Sequence, residues 1–138
     1  MLFLLLVAQR KGGYPERFVT ISLVSAFIAS LAVYKIRGPY EFTSFDLVKT
    51  IIEAALFVAL FLIALRANRW WTLFACALQL IILVAHLNRA LGVQATPEVY
   101  WGMTSLPSYL QLLCIALGVF AHDRRTRRLG RYPDWRSG

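Results

Sequence analysis

The chain has 138 residues, 59% of them hydrophobic and only 16% charged, with a net charge of +8, an isoelectric point near 10.1 and a mean hydropathy of +0.59. Soluble domains have about half their residues apolar and about a quarter charged, so this composition excludes an ordinary soluble domain and its length fits a single one. The apolar residues form long runs rather than alternating or half-faced patterns, which marks membrane-spanning helices; the basic excess then reads as topology and lipid contact rather than as a nucleic-acid footprint.

Residues 1–9, "MLFLLLVAQ", are apolar but reach only roughly 13 Å as a helix, about half a bilayer. They lack a basic leader segment, and "QRKGG" is no small-residue cleavage site, so a half-span is expected. After Gly12-Gly13, Pro15 suits a first helical position and Glu16 the positive end of a helix. The first full span is expected over about residues 16–36, ending at Arg37-Gly38-Pro39. Ser22, Ser25, Ala26, Ala29 and Ser30 give it a small-residue face for close packing within the chain.

"TSFD", Thr43 to Asp46, fits a capping box that opens the second span at about 44–66. A third, about 68–88, follows the short link "RANR", so the two form an antiparallel hairpin. Thr96 and Pro97 fit the start of another helix, in which Pro107 should bend or restart the chain. The fourth span is placed at about 105–122, followed by a basic cytoplasmic tail, 123–138. Cys76 and Cys114 fall inside apolar runs and read as small core hydrophobes. The fold expected is an all-α membrane protein: a bundle of four transmembrane helices plus a short N-terminal half-span, with residues 1–122 as the membrane domain.

With the C-terminus in the cytoplasm, only Lys35, Arg37 and Arg89 among the basic residues fall outside and Lys49 lies within a span. All the others fall inside, as the positive-inside rule demands. Trp70 and Trp71 then lie at the inner interface, with Tyr40, Tyr100 and Trp101 at the outer one. The expected setting is a bacterial inner (plasma) membrane.

The candidate site lies in the outer half of the hairpin. Asp46, Lys49 and Glu53 share one helical face, as do Gln79, His86 and Arg89; counting outward from the hairpin tip, Lys49 is level with about His86 and Asp46 with about Arg89. Charges in lipid cost about 2.5–3.5 kcal/mol each on insertion scales, so they face the protein and pair. A Lys49–Glu53 pair, with His86 and Gln79 filling the remaining valences, serves either as a pin for helix register or as a site for a titrating proton or for a lipid or quinone head group. Ser108, Gln111, Cys114 or Ile115, Gly118 and His122 form a mildly polar stripe able to close over it. Arg124, Arg125, Arg127 and Arg128 are candidates for anionic lipid, at about 1 kcal/mol each near the surface.

No catalytic, cofactor or metal signature is legible. His86 and His122 lie near opposite ends of their spans, too far apart for one haem, and no zinc-protease, phosphate-loop or nucleophile-elbow motif occurs. Whether the chain is an enzyme is left open. The function expected is that of a structural or accessory subunit that binds lipid, another membrane protein or a second copy of itself. The alternative is a ligand-binding or proton-coupled carrier bundle built on Glu53 and His86.

Overall fold

A computed structural model describes residues 2–38, 46–67, 69–93, 95–130 and 135, the side chains of 2, 4, 37 and 129 excepted. Its named elements are five helices: α1 (Leu2–Lys11), α2 (Tyr14–Arg37), α3 (Leu47–Arg66), α4 (Trp71–Ala90) and α5 (Pro97–Leu129). All but α1 are long and apolar enough to cross a membrane, which marks the chain as an all-α membrane protein. The 20 residues of α3 and of α4 reach about 30 Å, one hydrocarbon core.

The helices form an up-and-down bundle. α4 packs on α3 and α5, α2 packs mainly on α3, and α1 lies in the angle between α2 and α5. The apolar core runs along the shared seam through Val19, Leu23, Leu56, Leu60, Ala75, Ile115 and Val119, and Ala8 of α1 joins it. Large apolar side chains on the outer faces, among them Phe27, Leu62, Phe74, Leu113 and Phe120, are more than 45% exposed. In water such a surface is untenable; in lipid it is the solvated one. Only part of the small-residue face of α2 is used: Ala26 packs on the core, while Ser25 is exposed.

Three local expectations change. The α3 cap is Asp46 itself, whose Oδ1 accepts from the Val48 and Lys49 amides at 2.9 and 3.1 Å; a single carboxylate so placed satisfies two orphan donors. Thr43, the expected cap, and Asn68, the expected start of the third span, lie outside the described residues, as do Pro39, Tyr40, Arg131 and Arg136; α4 begins at Trp71.

Pro107 neither ends nor restarts the last helix, which runs unbroken through its 33 residues. Proline removes the amide that would meet the Met103 carbonyl, and hydroxyls beside it bond other carbonyls of the same stretch. Thr104 Oγ1 donates to the Tyr100 and Trp101 carbonyls at 3.0 and 3.1 Å, and Ser108 Oγ to the Thr104 carbonyl at 2.8 Å.

The third change is at the other end of α5. The helix does not stop at His122 but continues to Leu129, so the four candidate arginines stand on helix rather than on a tail. At about 50 Å it outreaches the hydrocarbon core and carries them into the head-group layer. Farther on, Trp135 pairs with Ala67 at the hairpin tip and packs its ring 6.2 Å from that of Phe18.

Candidate functional site

Glu53 lies on the face of α3 that meets α4. There Gln79, fully buried on α4, donates from Nε2 to Glu53 Oε2 at 2.7 Å and to the Glu53 carbonyl at 3.2 Å. Gln79 Oε1 in turn accepts from Gln111 Nε2 of α5 at 2.8 Å, and the same amide donates to the Ala75 carbonyl at 3.1 Å. Three helices are thus joined by one directed chain, Gln111 to Gln79 to Glu53, which ends on a carboxylate. Where water is excluded, each link is worth more than at a surface because the unmade alternative is costly.

Glu53 is therefore met by Gln79 and not, as expected, by Lys49. Of the α5 stripe, Gln111 and Ser108 reach this cluster, while Gly118 and His122 stand at the other end of the bundle. A half-open chamber of about 250 Å3 adjoins the chain, with Lys49, Glu53, Gln79, Ser108 and Gln111 in its wall beside Leu23, Phe27 and Leu112.

His86 belongs to a second group at the same end. Its Nδ1 lies 2.8 Å from the Tyr100 hydroxyl, and the two rings meet edge to face at 5.6 Å. The Arg89 guanidinium stands 4.8 Å over the Tyr100 ring and donates to the Ala95 carbonyl at 2.9 Å. Asp46 and Lys49 lie close enough for their charges to act on His86. The six expected residues therefore share one neighbourhood, and among the described residues Asp46 caps α3, Glu53 and Gln79 join through their side chains, and His86 and Arg89 meet on Tyr100. Tyr100, expected only as an interfacial ring, is what holds the second group together.

The opposite end of the bundle holds a network that the sequence reading missed. Glu16, expected to complement the positive end of a helix, is completely buried. Its Oε1 accepts from Trp71 Nε1 at 3.3 Å and lies 3.6 Å from Arg69 Nε, an ion pair whose two side chains are 0% and 3% exposed. Arg69 Nη2 lies 3.1 Å from His122 Nδ1. Trp71 lies against Gly118, where an added Cβ would come within 2.6 Å of the indole. The available signal was topological: a start of α2, a hairpin tip and an end of α5 must coincide, and each carried a titratable residue.

Beside this network an apolar cleft of about 310 Å3 separates the start of α4 from the end of α5, with Arg69, Trp70, Trp71, Leu117, Arg124 and Arg125 in its lining. Of the four candidate arginines, Arg124 and Arg125 thus border the cleft. Arg127 forms a 3.0 Å pair with Asp123 one turn back, and Arg128 is exposed. Cys76 and Cys114 are free thiols. Comparison with protein-family models, with curated proteins and with solved structures gave no match.

Proposed function

We propose that the chain is a small multi-pass protein of a bacterial inner membrane that acts as a structural or accessory subunit, and that its basic end holds an anionic phospholipid. The cleft between α4 and α5 carries this reading. Its wall is almost wholly apolar, as an acyl chain requires, yet Arg69, Arg124 and Arg125 line it beside Trp70 and Trp71. Arginine lays an apolar stem along such a surface while offering phosphate a planar, two-pronged donor, and tryptophan favours head-group depth. Arg10, Lys11 and Arg66, at the neighbouring helix ends, add positive charge of the kind that faces the cytoplasm.

The test is native mass spectrometry of the chain extracted in mild detergent, with phosphatidylglycerol offered beside phosphatidylcholine. The expected result is retained phosphatidylglycerol, lost in Arg124→Gln/Arg125→Gln and weakened by salt. Equal retention by that variant overturns the lipid site, and substrate turnover by the purified chain alone overturns the accessory reading.

A further inference from the structure

The chamber beside Glu53 lies at the other end of the bundle and owes nothing to the basic cleft. The donors of its wall are largely committed. Gln79 Nε2 already donates to two oxygens of Glu53, Gln111 Nε2 to Ala75 and Gln79, and the Ser108 hydroxyl to Thr104. Glu53 Oε1, by contrast, makes no hydrogen bond among the described residues. Lys49 apart, these groups leave the chamber rich in acceptors and centred on a carboxylate.

Lys49 stands one turn toward the start of α3, about 6 Å along the axis, and lines the same chamber. A ligand that fits both must carry a cationic donor and, a few bonds away, an anion. At about 250 Å3 the space is smaller than the roughly 300–1,000 Å3 of sites for drug-sized molecules, so it suits a head group rather than a whole amphiphile. Access is lateral. Phe27 of α2 and Ser108 of α5 border the chamber and are both exposed, and α2 packs only lightly on α5, so the chamber opens onto the lipid face.

We propose that this chamber binds the head group of an ethanolamine-type phospholipid from the surrounding leaflet. The primary ammonium donates to Glu53 Oε1, the phosphate turns toward Lys49, and the acyl chains lie along the exposed apolar surface beside Phe27. The amide chain from Gln111 holds the carboxylate in place before the ligand arrives, which lowers the ordering cost of binding.

The full chain in detergent, offered equal amounts of phosphatidylethanolamine and its N-trimethylated counterpart phosphatidylcholine, tests this by native mass spectrometry. Phosphatidylethanolamine should be retained about ten-fold over phosphatidylcholine, the worth of one charge-assisted hydrogen bond. Glu53→Gln should abolish the preference. Ser108→Leu, which fills the mouth without touching the amide chain, should lower retention of phosphatidylethanolamine and carries the test if Glu53→Gln does not fold.

Displacement by free phosphoethanolamine would keep the ammonium site and make its ligand a soluble amine; failure to displace assigns it to lipid. Equal retention of phosphatidylethanolamine and phosphatidylcholine by the unaltered chain, or undiminished phosphatidylethanolamine in the folded variants, overturns the proposal.

Discussion

Gln79 donates to the Glu53 carboxylate at 2.7 Å across the seam between α3 and α4, so the acidic residue of the most hydrophobic span is held by a neutral amide. An amide partner stabilises the carboxylate without adding a second desolvated charge, and Gln111 fixes which way that amide points.

Replacing Gln79 with leucine should therefore strand both neighbours. The expected loss is about 1–3 kcal/mol, the cost of leaving a buried polar group unmatched and more for a charged one. Thermal unfolding in detergent measures it. Gln111→Leu should cost less, since it leaves the Gln79–Glu53 bond intact. Equal losses in the two variants would mean that the chain does not act in series.

The Glu16–Arg69 pair offers a sharper contrast. Breaking a buried pair from one side costs about 3–5 kcal/mol, whereas apolar replacement of both partners is often near neutral. Glu16→Leu and Arg69→Met should each lower the melting temperature, and the double variant should recover much of the loss. A double-mutant cycle reads the coupling directly; additive losses would show that Trp71 and His122, not the ion pair, satisfy the two groups.

Gly118 makes room for Trp71. With a Cβ 2.6 Å from the indole of a residue only 5% exposed, Gly118→Ala must push the ring against Glu16 or part α4 from α5. Overpacking of this kind costs about 1–3 kcal/mol. The variant should be less stable and should show altered tryptophan fluorescence. Gly102 on the same helix has no atom within 4 Å of an added Cβ, so Gly102→Ala should be neutral or better.

Tyr100→Phe removes the hydroxyl that meets His86 Nδ1 and leaves both rings in place. The loss expected is about 1 kcal/mol or more. Adding His86→Phe should restore part of it, because the buried imidazole then no longer needs a partner. Unchanged stability in Tyr100→Phe would show that another group satisfies His86.

The division between what was legible and what was not follows from the range of the interactions. Long apolar runs, turn residues and the short hairpin link are local in sequence, and in a membrane every backbone amide must be satisfied within its own segment; helix number, type and approximate ends therefore follow from the sequence alone. The helical periodicity also brought Asp46, Lys49, Glu53, Gln79, His86 and Arg89 into one neighbourhood. Partners, however, are chosen by helix rotation and depth, to within about an ångström, and those depend on how all the side chains interlock at once. Sequence charge alone pointed to Lys49 for Glu53, while packing brought Gln79 there. Sequence position gave Glu16 a role only at a helix start, while the docking of Arg69 and Trp71 buried it completely. Pro107 was expected to bend or restart the chain, yet α5 continues through it. Tertiary structure alone decided these, because a polar group in a low-dielectric bundle takes the partner whose geometry leaves the fewest unmet valences, and no residue's neighbours in sequence determine that.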